Sequence, residues 1–79
     1  MARVSMHQSG RAAAAERLRS LRGRTPQQAV ADAIGVSKMT VSLYERGERY
    51  PDDGNRKALA AYYGLPVEAL FPELEGRRA

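Results

Sequence analysis

The residue types that carry out covalent chemistry are nearly missing from this chain. It holds one histidine, His7, and no cysteine, and His7 lies in a leader segment without partners for a metal or catalytic role. Asp52 and Asp53 adjoin, but they precede a helix-forming run and read as its N-terminal cap. No phosphate-binding glycine loop or metal-ligand spacing occurs. The sequence therefore predicts no enzyme and no cofactor. What it offers instead is positive charge, 13 Lys and Arg against 9 Asp and Glu. The excess is uneven: Met1 to Arg24 holds six arginines against Glu16, a net +5, while Thr25 to Tyr50 is neutral and the remainder is −1. A basic end suits a polyanion. Arginines on an ordinary solvated helix face would look the same.

The elements that must position these charges fit one small domain. A chain of 79 residues buries only about 60% of the surface it exposes when unfolded, so its core is modest. No apolar run reaches the ~20 residues of a membrane span, and MARVSMHQSG lacks the apolar centre of a signal peptide. With cysteine absent, a cytoplasmic setting is expected.

The stretch QQAVADAIGVSKMTVSLYER, Gln27 to Arg46, reads as two short helices broken at Gly35. Val30, Ala31 and Ile34 mark the inner face of the first, Val41 and Tyr44 that of the second. Gly35 suits a left-handed C-terminal position and Ser37 an N-cap, leaving only Val36 between them. That is a helix-turn-helix pattern, although a helical hairpin in any small bundle would show it too.

Around it, residues 1–10 are expected to be a mobile arm, residues 11–72 the domain, and residues 73–79 a frayed charged tail. The first helix is placed at Arg11 to Arg22, with Ala14, Leu18 and Leu21 inward. The second is placed at Pro26 to Ile34, with Thr25 as N-cap and Gln28 closing a capping box. The third is expected to end near Arg46, with Gly47 after it. A fourth runs from about Gly54 to Tyr63, stopped by Gly64, and a short fifth runs from Pro66 to Leu70 or Phe71. No strand-like alternation is present. The expected fold is an all-α, compact five-helix bundle.

Taken jointly, the spacing resembles the Cro/repressor-type, Xre-like helix-turn-helix family over roughly Leu18 to Phe71. The matching residues are Gln27, Ala31, Gly35, Val36-Ser37, Thr40-Val41-Ser42 and Glu45-Arg46-Gly47. They continue with Arg49, Pro51, Leu59-Ala60, Gly64-Leu65 and Glu68-Ala69-Leu70-Phe71. The resemblance implies a lambda-repressor-like fold in which helices 2 and 3 form the DNA-binding unit. It makes Ala31, Gly35, Val41, Tyr44 and Glu45 its turn and core, and pairs Glu45 with an arginine late in the first helix, best matched by Arg22. Arg56 and Lys57 stand where the family usually has core leucines, which predicts a fourth helix that starts loosely or faces a partner.

In this fold the third helix enters the major groove. Its free side then supplies the base contacts Ser37, Lys38, Met39, Ser42 and Leu43: Lys38 toward a guanine, Met39 and Leu43 toward thymine methyls. Leu43 has a second reading, packed under the loop that follows. Gln27 is implied as a phosphate contact, joined by Arg46, Arg49, Arg22 and Arg24. The implied function is sequence-specific binding of double-stranded DNA by a transcriptional regulator, a repressor of phage or bacterial type, acting as a homodimer on a palindromic operator. Leu65, Val67, Leu70, Phe71 and Leu74 are either the dimer surface or the lid on the core. The alternative function is a protein-interaction module of the same fold, such as an antitoxin.

Overall fold

Helix ends in this chain are set by a few residues whose backbone geometry leaves no choice. Gly35 takes φ 79°, ψ 33°, and its N–H, like that of Val36, donates to the Ala31 carbonyl, closing α2. Ser37 follows at once in extended geometry, and its Oγ accepts the Thr40 N–H at 3.1 Å, opening α3. Asp52 does the same for α4 through the Asn55 N–H at 2.9 Å.

The computed structural model describes residues 6–73, with side chains from Gly10 onward. Five helices run through it: α1 Met6–Arg22, α2 Gln27–Ile34, α3 Lys38–Glu45, α4 Asp53–Tyr63 and α5 Val67–Leu70. The described residues contain no strand. α3 packs on both α1 and α2, α2 also on α4, and α4 on α5. Where they meet lies one core, built from Ala14 and Leu18, Val30 and Ala31, Val41 and Tyr44, Leu59 and Ala60, and Leu70 and Phe71. Ala31 is fully buried. A larger side chain there would push α2 from its neighbours at a cost of ~1–3 kcal/mol.

Several expectations need correcting. α1 begins at Met6, five residues before Arg11, so half of the segment read as an arm is helical. Its inner face is Ala14, Ala15 and Leu18, whereas Leu21 is 39% exposed. Arg22, one position on, turns inward because it has a buried carboxylate to meet. α2 starts at Gln27 with Pro26 in the cap position and no side-chain cap. The Thr25 carbonyl accepts Arg22 Nη1 at 2.8 Å while the Thr25 side chain makes no cap, and Gln28 reaches forward to Asp32 instead of back.

The start of α4 is not loose. Asp52 caps it, Arg56 donates to the Pro51 carbonyl at 2.7 Å, and the Arg56 guanidinium lies 5.7 Å from the centre of the Tyr50 ring. Lys57 stays outside and pairs with Asp53. Glu73, expected in a frayed tail, is anchored. It accepts from Arg17 and from the Tyr50 hydroxyl, both at 2.7 Å, while Arg17 also donates to the Leu70 carbonyl. Tyr50 in turn meets Phe71 edge to face at 5.6 Å.

Candidate nucleic-acid interface

α3 has two sides with separate duties. Val41, Tyr44 and Glu45 are buried. Lys38 and Met39 are exposed, Met39 by 62%, and Ser42 is half-buried. Neither Lys38 nor Met39 has a side-chain hydrogen bond or a place in the core among the described residues. A thioether so open to water is poorly used in a free monomer, but it can meet an apolar group on a base edge.

Ser37 is differently placed from the other residues expected to read bases. Its Oγ is occupied by the Thr40 N–H and lies 3.0 Å from the Thr40 hydroxyl, so it sets the start of α3. Leu43 is half-buried, and the turn after the helix folds back over it: the Glu48 and Arg49 N–H groups both donate to its carbonyl. Gly47, at φ 74°, makes that reversal possible.

Behind α3 lies the least ordinary group in the molecule, the Glu45 carboxylate, only 3% exposed. Arg22 Nε donates to both its oxygens, at 2.8 and 3.0 Å, and Gln27 Nε2 donates to Oε1 at 2.9 Å. One carboxylate thereby joins α1, α2 and α3. The Glu45 hydrogen bond holds the Arg22 guanidinium above its ordinary pKa, against desolvation, which pulls it down. Nearby Tyr63 is pushed up to about 12, mainly by burial and then by the Glu45 charge. No buried side-chain nitrogen or oxygen lacks a partner among the described residues.

This network corrects two residues expected at phosphates. Arg22 turns into the protein, because a buried carboxylate left alone costs more than a solvated phosphate contact returns. Gln27 directs its amide to the same carboxylate. What Gln27 and Gln28 offer outward is their backbone N–H groups in the uncapped first turn of α2, which have no partner among the described residues.

Of the five arginines from Arg11 to Arg24, four are tied down: Arg11 to the Gly47 carbonyl, Arg17 to Leu70 and Glu73, Arg19 to the Glu45 carbonyl, and Arg22 to Thr25 and Glu45. Arg24 and Arg49 are exposed without a protein partner among the described residues, and Arg46 has only a loose 3.6 Å pair with Glu48. The Arg22–Glu45 pair is the one the sequence implied; the bonds of Arg11, Arg17 and Arg19 go to backbone carbonyls, which have no signature in the residue string. The described residues contain no group of His, Cys, Asp or Glu arranged to hold a metal.

Comparison with known families decides the kinship. A family model described as a helix-turn-helix domain matches residues 13–74. The chain belongs to the helix-turn-helix domain family. Its helix-turn-helix unit is α2, Gly35 and α3, in an all-α fold of the lambda-repressor-like type. Among curated proteins it is 39% identical over 49 residues to the cryptic phage CTXphi transcriptional repressor RstR of Vibrio cholerae. The match covers 62% of this chain and 44% of RstR, so the chain spans less than half the length of that relative. No solved structure matches it significantly.

The helix-turn-helix fold also constrains the apolar end. Leu70 and Phe71 are 0% and 1% exposed, so they form the lid on the core and offer no dimer surface. Leu65 and Val67 are half-buried against the same core. Leu74 lies outside the described residues. No helix among the described residues is long and apolar enough to cross a membrane.

Proposed function

We propose that this chain binds double-stranded DNA in a sequence-specific way, as the DNA-reading part of a transcriptional repressor. The observation that carries the reading is the outward side of α3. Lys38, Met39 and Ser42 stand together on a helix whose opposite side is locked into the core, and the fold itself makes no use of Lys38 or Met39. α3 lies in the major groove, Lys38 reaches a guanine O6 or N7, and Met39 meets a thymine methyl, with Leu43 at the margin.

The phosphates on either side are met by the free N–H groups at the start of α2 and by Arg24, Arg46 and Arg49. Two copies on half-sites about 34 Å apart read a palindromic operator. Their contact uses side chains around Leu65 and Val67 that the core leaves partly open. The setting is cytoplasmic, and no catalysis is part of this role.

Two features favoured a protein-interaction module instead: an apolar final helix and an unsettled Arg56-Lys57 face. Leu70 and Phe71 of the first are spent as the core lid, leaving only the partly open Leu65 and Val67 for a second copy of the chain, and the second is engaged by Tyr50, Pro51 and Asp53. DNA therefore remains the better partner.

Selection of bound duplexes from a random pool tests the reading. A defined site should emerge, and replacing its thymines one by one with uracil, which lacks the 5-methyl group, should weaken wild type at one position but not Met39→Ala. Lys38→Ala should relax preference at a different base pair by ~1–3 kcal/mol. Enrichment of no sequence, or a uracil scan indifferent to residue 39, would refute it.

A further inference from the structure

The C-terminal end of α3 is held by more than the buried ion pair. α3 has no basic residue in its own last turn, where a cation would meet the negative end of the helix dipole. α1 provides the cations from outside. Arg19 Nη1 donates to the Glu45 carbonyl at 2.5 Å, and Arg11 Nε donates to the Gly47 carbonyl at 3.1 Å. These two arginines sit eight residues apart on α1, about two helical turns. They seize two successive points of the chain as it leaves α3.

Gly47 lies close against α1 there. A Cβ built on it would be 3.5 Å from the Arg11 carbonyl oxygen and 3.6 Å from the Ala12 Cα. Arg11 and Arg19 thus grip backbone, whose position does not vary with side-chain rotamer.

We propose that Arg11 and Arg19 are positioning residues for DNA reading: a two-point clamp from α1 that sets the direction in which α3 projects Lys38 and Met39. The buried Arg22–Glu45 pair and the packing of Val41 and Tyr44 hold α3 through side chains, which still permit a small tilt of the helix axis. Two further bonds to main-chain carbonyls at the same end remove that freedom. A lever arm then matters. The clamp acts at the C-terminal end of α3, whereas Lys38 and Met39 occupy its first turn, about 10 Å away at 1.5 Å per residue. A small tilt at the clamp becomes a displacement of the reading atoms comparable with the tolerance of a base-edge hydrogen bond.

The inference rests on the DNA-binding reading and can fail separately from it. If the unaltered chain selects no duplex, the reading fails. If it does select one, the clamp is judged on the variants Arg11→Gln and Arg19→Gln. For each, affinity is measured on the selected duplex and on a random one across a salt series, with circular dichroism confirming the helix content. A positioning role predicts that each substitution weakens the selected duplex about tenfold, leaves the random duplex within about twofold, and does not change the salt slope. Arg19→Lys, which keeps one donor, should recover part of the specific affinity.

Three results would overturn the inference. One is equal loss on both duplexes with a slope lower by about 0.9, which would make the arginine a phosphate contact. Another is unchanged affinity throughout. The third is failure of both glutamine variants to fold, which would make these bonds part of the scaffold itself.

Discussion

Removing the Arg22 side chain is the sharpest test of how the helix-turn-helix unit is held together. Arg22→Met keeps the aliphatic stem and the helix propensity but deletes three donor contacts, two to Glu45 and one to the Thr25 carbonyl. Glu45, 3% exposed, is then a buried carboxylate with only Gln27 for a partner. Stranding a charge in this way costs ~3–5 kcal/mol. A chain of this size has about 4–12 kcal/mol of total stability, so the loss is a large share of it.

At roughly 4–8 °C per kcal/mol for a small domain, the thermal midpoint should fall by at least about 12 °C. Circular dichroism at the helix minimum measures it directly. The double variant Arg22→Met, Glu45→Leu should regain most of the loss, because no charge remains to be stranded and the half-exposed Gln27 amide can turn to water. Mutation is the cleaner probe on the alkaline side, because the hydrogen bond to Glu45 raises the Arg22 pKa further above its already high ordinary value and keeps the guanidinium charged there. A single variant within about 1 kcal/mol of wild type, or a double variant less stable than the single, would refute the reasoning.

Two further outcomes follow from the geometry. Ser37→Ala should lower stability by about 1 kcal/mol through loss of the cap on Thr40, whereas Ser37→Asp should keep the cap and the melting point yet weaken DNA binding by setting a carboxylate at the groove; unfolding and binding measured on both variants check this. Tyr63 is raised from 10.0 to about 12 and Tyr50 higher still, the latter by burial and by its hydrogen bond to Glu73. Stability should therefore hold below pH 10 and decline as pH rises toward 12, and urea titrations should show a shallower decline for Tyr63→Phe.

Much of the fold could be read from residue spacing. Gly35, Ser37, Asp52 and Gly64 each mark a boundary by a local stereochemical need, and the structure puts the boundary within a residue of each. The Arg22–Glu45 pair was accessible because both partners are side chains whose types recur at a fixed spacing in the family that the chain resembles. Other contacts were closed to such reading. Arg11, Arg17 and Arg19 bind backbone carbonyls, and their charge looked free for that reason. Thr25 and Gln28 have the right types for a capping box, but Pro26 takes the cap position and the Gln28 amide turns to Asp32. Leu70 and Phe71 could serve a core or a partner equally well, and only burial separated the two. The first two turns of α1 carry little apolar patterning, so their helicity left no trace in the sequence.

The division of labour along α3 bears on how such a domain acquires a new target. The side chains of Lys38 and Met39 contribute no hydrogen bond and no core packing among the described residues, so replacing them should change stability by no more than about 0.5 kcal/mol. On the proposed DNA-reading role of α3, specificity can thus drift at these two positions while the scaffold stays intact, with every intermediate along the way a folded protein. A library randomised at 38 and 39, with Ser37, Thr40 and Glu45 kept, would sample new DNA addresses with little loss to misfolding.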